Sequence, residues 1–218
     1  MKYLWIVILF IILWIPLPSM KEEVQKVNKD LFSVQNLTPS ILKRVKEYSC
    51  KEDICTKNVE ELRYISILYI DFNGNEKKGE IVADYRIADD LKEIFEELYK
   101  AKYPLERVEL IDVYEGNDDL SMQNNNTSAF NFRYIAGTNK LSRHAEGLAI
   151  DINPLYNPQV TANAVYPEEG RPYIDRQNKR AHMIDKEDLA YKLFIEHGFT
   201  WGGNWSSSKD YQHFEKEM

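Results

Sequence analysis

From residue 38 onward the apolar positions fall into short, readable periods. In "TPSILKRVKEYSC" they predict a short helix, with Thr38 as N-cap and Pro39 in the first turn. "RYISILYIDF" and "GEIVADYRI" are rich in β-branched and aromatic residues and predict two strands. Asn73-Gly74 between them is a hairpin signal. In "IADDLKEIFEELYKAKY", Leu91, Ile94, Phe95, Leu98 and Tyr99 recur at i, i+3, i+4, i+7 and i+8, one face of an amphipathic helix. "VELIDVY" predicts a further strand. After a polar loop, "SAFNFRYI" predicts another, with Phe130, Phe132 and Tyr134 on one face and Asn131 and Arg133 on the other. "GLAIDI" alternates in the same way: Leu148, Ile150 and Ile152 face one side, Ala149 and Asp151 the other. A long irregular segment follows Asn153. "DKEDLAYKLFIEHG" predicts a second amphipathic helix, with Leu189, Leu193 and Phe194 inward and Gly198 closing it. Strands and helices are mixed rather than regularly alternating, so an α+β fold is expected over a doubly wound sheet.

The N-terminus reads as a separate object. In "MKYLWIVILFIILWIPLPSM" the unbroken apolar run Tyr3–Ile15 fits the core of a signal peptide. Pro16–Met20 could extend it towards the about 20 residues of a membrane anchor. A cleaved signal and an uncleaved anchor are both open, and either one exports the rest of the chain. Residues 21–37 are polar and weakly patterned and read as a stalk, which leaves residues 38–218 as the domain. Cys50 and Cys55 then suit a local disulfide in an oxidising compartment, the alternative being two free thiols. There is no CxxC pair and no third cysteine for a thiolate metal site.

Composition narrows the partners. The hydrophobic fraction of 44% supports a packed core, and the formal charge of −7 argues against nucleic acid. The lysines and arginines are scattered among acids, as on a solvated surface. A monomer is expected.

Candidate chemistry sits in "SRHAEGLAIDINP". Asp151 stands on a predicted strand beside a small residue, and His144 lies upstream in a predicted loop that could fold back over that face. Taken alone, such a pair is more often a hydrogen-bonded structural pair than a metal site. "DYQHFE" near the C-terminus adds Asp210 and His213, three residues apart. Catalytic zinc commonly takes three N or O ligands and keeps a position for water. His144, Asp151 and His213 make such a set, with Asp210 free to act on water. Two neutral imidazoles and one carboxylate leave the site net positive, which can bring the pKa of water from 15.7 towards about 7. "WGGNW" adds two glycines for close backbone approach and two indoles for walls. The other candidates read as structural. His197 sits at a helix end, His182 on the surface, and Glu146 and Glu215 point to solvent or pair with basic neighbours.

These residues resemble a known family. "SRHAEGLAID" fits the S-x-H-x-x-G-x-A-x-D pattern of the M15 zinc peptidases, the D-alanyl-D-alanine carboxypeptidase and L-alanyl-D-glutamate endopeptidase group. "WGGNWSSSKDYQHFE" resembles that group's C-terminal segment, and "NNTSAFNFR" and "GRPYIDR" resemble segments of its bacterial members. The resemblance implies a small antiparallel sheet with flanking helices, an architecture shared with the hedgehog signalling domains. It implies zinc held by His144, Asp151 and His213, Asp210 as general base and then acid, Arg133 on the substrate carbonyl, and Ser142 in contact with substrate. Asn204 stands where the family has aspartate, and Arg143 and Glu146 replace expected aromatic residues. The implied activity is exported, zinc-dependent cleavage of peptidoglycan stem peptides. The alternative is a non-catalytic zinc-binding module of the same fold. For a carboxypeptidase, Arg143, Arg171, Arg176 and Arg180 are available to hold a terminal carboxylate.

Overall fold

The aliphatic alternation of the first two strong strands builds the platform on which everything else packs. The computed structural model describes residues 31–135 and 138–218. The apolar N-terminal segment, and the stalk as far as residue 30, lie outside the described residues. The compact unit starts at Leu31, earlier than the expected boundary at residue 38. Strand β1 (Ser33–Asn36) pairs antiparallel with β2, and Phe32 is buried against Tyr99 with ring centroids 5.6 Å apart. Residues 31–37 therefore belong to the fold rather than to a stalk, because Phe32 fills the core.

Helix α1 (Pro39–Arg44) is capped by Thr38, whose hydroxyl accepts from Ile41 N, and runs on into a π-turn over Val45–Ser49. The Cys50–Cys55 disulfide follows directly. Strands β2 (Leu62–Ile70) and β3 (Glu76–Asp84) form the hairpin, with Asn73-Gly74 in its turn. On one face Ile65, Ile67, Ile81 and Ala83 meet helix α2 (Tyr85–Lys100) through Ile87, Leu91, Ile94, Phe95 and Leu98. On the other, Leu62 and Val82 pack with Ile41, Val45, Phe130 and Phe132. The large core thus has α2 at its centre, fixed in place by the period of its apolar residues.

The middle of the chain departs from expectation. "VELIDVY" holds only β4 (Arg107–Val108); Ile111–Tyr114 winds as a 3-10 turn that ends at Glu115 with φ 55°. Helix α3 (Asp118–Gln123) leads to β5 (Asn126–Thr127), which pairs parallel with β4. "SAFNFRYI" is extended but is not a ladder strand. Its backbone N–H groups go to five separate partners: Ser128 to Asp151, Phe130 to Val82, Asn131 to His144, Phe132 to Ser49 and Ile135 to Lys140. Phe130 and Phe132 are buried as the alternation required, whereas Tyr134 is exposed.

Helix α4 (Arg143–Glu146) is a single turn, and it contains His144, which was expected in a loop. Strand β6 (Ala149–Asp151) follows; then come β7 (Gln159–Val160), β8 (Val165–Tyr166), α5 (Leu189–Glu196), β9 (Thr200–Trp201), β10 (Lys209–Asp210) and β11 (His213–Glu215). Two small antiparallel sheets result, ordered β6-β11-β9 and β10-β7-β8. The fold is α+β, with small antiparallel sheets and helices around them. Phe194 of α5 is fully buried and stacks on Phe214 of β11 at 4.3 Å, which seats the β6-β11-β9 sheet on the same core as α2.

Candidate active site

Strands β6 and β11 place two polar residues face to face by register alone. His213 pairs with Asp151, Phe214 with Ile150, and Glu215 with Ala149. Successive side chains of a strand point to opposite faces. Ile150 and Phe214 therefore enter the core, where both are fully buried, and Asp151 and His213 share the other face. His144 reaches that face from α4. Ser142 caps this turn, its hydroxyl accepting from His144 N at 3.2 Å. Gly147 then ends it in the left-handed region with φ 73°. A Cβ on Gly147 would lie 2.8 Å from the backbone nitrogen of Asp84, so glycine is required both by conformation and by space.

The three side chains converge. His144 Nε2 lies 3.1 Å from His213 Nδ1 and 3.2 Å from Asp151 Oδ2, and His213 Nδ1 lies 3.1 Å from Asp151 Oδ1. All three residues are buried. Ligands held about 2.0–2.1 Å from a tetrahedral zinc sit roughly 3.3 Å apart, so the spacing fits such an ion. The outward nitrogens fix the tautomers. His144 Nδ1–H donates to the Ala129 carbonyl at 2.6 Å, and His213 Nε2–H donates to Glu215 at 3.0 Å. In its neutral form each ring therefore turns a lone pair inward, the arrangement that outer partners impose on metal-binding histidines. Two inward lone pairs beside a carboxylate call for a cation between them. The same demand appears in the ionisation. Burial works against the His213 imidazolium, yet its bonds to Asp151 and Glu215 push its pKa up to about 10. Burial likewise opposes ionised Asp151, but His144 and His213 outweigh it and hold that carboxyl far below the usual range.

Asp210 stands beside this triad on β10. Gly202 makes the approach possible: a Cβ there would meet the Asp210 carbonyl at 2.7 Å and the Asp210 Cβ at 2.8 Å. Asp210 Oδ2 accepts from Gln159 Nε2 at 2.9 Å, while Oδ1 is buried with no hydrogen-bond partner among the described residues. Burial pushes its pKa up to about 7 against the pull of His213, and the Asp151 charge adds to the rise. Arg133 lies close enough for its charge to act on Asp210. It pairs with Asp118 Oδ2 at 2.9 Å through Nη2, and its Nε is buried without a partner. Its backbone carbonyl accepts from Ser142 N at 3.0 Å, which ties it to the His144 turn. Trp205 forms a wall, its ring 5.4 Å from that of His213.

The remaining candidates fall elsewhere. Arg143 pairs with Glu146 at 2.6 Å, and Arg171 with Glu168. Arg176 is spent on the carbonyls of Tyr156, Tyr173 and Ile184 and on Asn157. His197 meets Asp90 at 3.3 Å, and His182 stacks on Phe72 at 3.7 Å rather than lying free on the surface. Asn204 is exposed. Glu215, expected to face solvent or a basic neighbour, instead orients His213. The signal was available in the i, i+2 spacing of a strand, which puts both residues on one face.

No curated protein and no solved structure matches the chain. Residues 136–216, the stretch that carries the buried triad and Asp210, match the family model described as D-alanyl-D-alanine carboxypeptidase.

Proposed function

We propose that the chain is an exported, zinc-dependent peptidase that cuts peptidoglycan stem peptides, of the D-Ala-D-Ala carboxypeptidase or L-Ala-D-Glu endopeptidase type. The reading is carried by one juxtaposition. Beside a triad suited to a divalent cation stand Asp210 Oδ1 and Arg133 Nε, two buried polar atoms with no partner among the described residues. Buried polar atoms are normally satisfied, so unsatisfied ones beside a metal triad suit groups that await substrate. The Cys50–Cys55 bond supports an extracytoplasmic setting. Among the described residues no helix is long and apolar enough to cross a membrane.

His144, Asp151 and His213 would hold the metal. Bound there, zinc supplies Lewis-acid chemistry: it acidifies water and polarises an amide carbonyl. The rest is done by the chain's own groups. Asp210 Oδ1 takes the proton of the attacking water and returns it to the leaving amine. The Arg133 guanidinium, held by Asp118, stabilises the oxyanion as the carbonyl becomes tetrahedral. Ser142 serves through its cap, which fixes the turn that carries His144.

Of the four arginines available for a terminal carboxylate, Arg143 and Arg171 are paired with glutamates and Arg176 with carbonyls, whereas Arg180 lies over the Tyr173 ring with no acidic partner among the described residues, so the carboxypeptidase and endopeptidase branches both stand. Mass spectrometry of digested muropeptides tests both levels. Release of a peptide stem marks an endopeptidase, loss of one terminal alanine a carboxypeptidase. No cleavage by the zinc-loaded protein would instead point to a binding module.

A further inference from the structure

A carboxylate that acts as a base must present one oxygen and keep it presented. The terminal torsion of an aspartate is soft and roughly two-fold, so burial alone does not choose which oxygen faces the reaction. In this protein the choice is made from a neighbouring strand. Gln159 of β7 is the direct cross-strand partner of Asp210 of β10. Directly opposed residues put their side chains on the same face, with Cβ atoms about 5 Å apart. From there Gln159 Nε2 donates to Asp210 Oδ2 at 2.9 Å, and Oδ1 remains the buried oxygen without a partner. Only the amide nitrogen can serve this bond, since the amide oxygen would repel a carboxylate.

We propose that Gln159 is a positioning residue that locks the Asp210 carboxylate with Oδ1 turned towards the reacting water; the proposal rests on the peptidase reading of the same site. An amide suits the task better than a cation. A lysine or arginine at this position would hold the same oxygen but would also stabilise the ionised carboxylate and weaken it as a base. Gln159 supplies a donor without a charge. The row continues outward, because Tyr166 of β8 is in turn directly opposite Gln159 and is exposed. The face of the β10-β7-β8 sheet thus carries the base, its lock and an aromatic group in register.

The test uses Gln159→Met, which keeps length and removes the donor, and Gln159→Asn, which keeps the amide but falls short. Each should lower kcat by about tenfold, the worth of one hydrogen bond to a charged group, at unchanged KM and unchanged zinc per chain. Crystal structures of both zinc-loaded variants should show the Asp210 carboxylate rotated from its present orientation. Wild-type kcat with the carboxylate unmoved overturns the proposal. So does a raised KM at unchanged kcat, which would make Gln159 a substrate contact. If the wild-type protein binds zinc and cuts no muropeptide, the peptidase reading fails, and the crystallographic comparison still decides whether Gln159 holds Asp210.

Discussion

His213 stands directly across from Asp151 on adjacent antiparallel strands, and its inward Nδ1 lies 3.1 Å from the Asp151 carboxylate. The register that pairs them also drives Phe214 and Ile150 into the core, so neither side chain can shift without disturbing packed side chains. On the proposed reading, metal binding at this triad is coupled to folding. His213→Ala should abolish both bound zinc and activity, where the wild-type chain binds about one zinc. Chelation should lower the thermal midpoint of the wild type and added zinc restore it, while the midpoint of His213→Ala should respond to neither. Metal analysis and melting curves check this; a variant that still binds one zinc tightly would remove His213 from the ligand set.

Glu215 contributes through His213. Its carboxylate accepts the outer Nε2–H, and that hydrogen bond holds the Glu215 pKa below the ordinary glutamate value. Outer partners of this kind are worth about 10–100-fold in metal affinity. Glu215→Ala should weaken zinc binding by that order. Glu215→Gln, which can still accept the bond, should lose less. Competition with a chromogenic chelator measures both, and equal affinity for all three proteins would reduce Glu215 to a surface residue.

These contributions differ in how far they could be read from the chain. The two-residue period of "GLAIDI" survives in the structure because Leu148, Ile150 and Ile152 are all core residues, and so Asp151 was legible as the odd polar face. The amphipathic pattern of α2 survived for the same reason. "SAFNFRYI" shows the same alternation, but its backbone bonds are divided among five partners, and long-range packing rather than a ladder holds it extended. "VELIDVY" has strand composition, yet Ile111–Tyr114 turns, since tertiary context overrides β propensity. Gln159 was illegible altogether. It lies in a segment without periodicity, and its partner is set by the register of two two-residue strands 51 residues apart. The residue types of the triad could be read locally; the groups that orient them depend on contacts only the folded chain makes.

Gly147 joins the ligand turn to the hairpin. Its carbonyl accepts from Asp84 N at 2.9 Å, and its left-handed φ leaves no room for a Cβ against that nitrogen. Gly147→Ala should cost about 1–2 kcal/mol from the backbone conformation alone, and more from the contact with Asp84. His144 is held three residues away on the same turn, so zinc affinity should fall together with stability. Denaturant melts with and without zinc separate the two effects; a variant as stable as wild type in both would show that the turn can relax.

Asp210→Asn separates chemistry from metal binding. Asp210 is not among the inward triad, so the variant should keep about one zinc per chain. Turnover should fall by about 10²–10⁴-fold, the usual contribution of a general base. In the wild type the base must be ionised, so kcat/KM should fall as pH drops below about 7, the value set by burial of this carboxyl. A bound divalent cation adds a pull of the same sign as His213 and moves that limb lower. The stability of the metal-free protein should run the other way. The folded pKa is raised above the ordinary 3.8, so the folded state binds more protons than the unfolded between about pH 4 and 7. Wild-type stability therefore declines as pH rises through that window, by at most about 4 kcal/mol. Asp210→Asn carries no such penalty and should melt higher than wild type at pH 8, but not at pH 4, after chelation. A variant that is active, or less stable than wild type at pH 8, would contradict the placement at Asp210 of a buried carboxylate whose Oδ1 has no partner among the described residues.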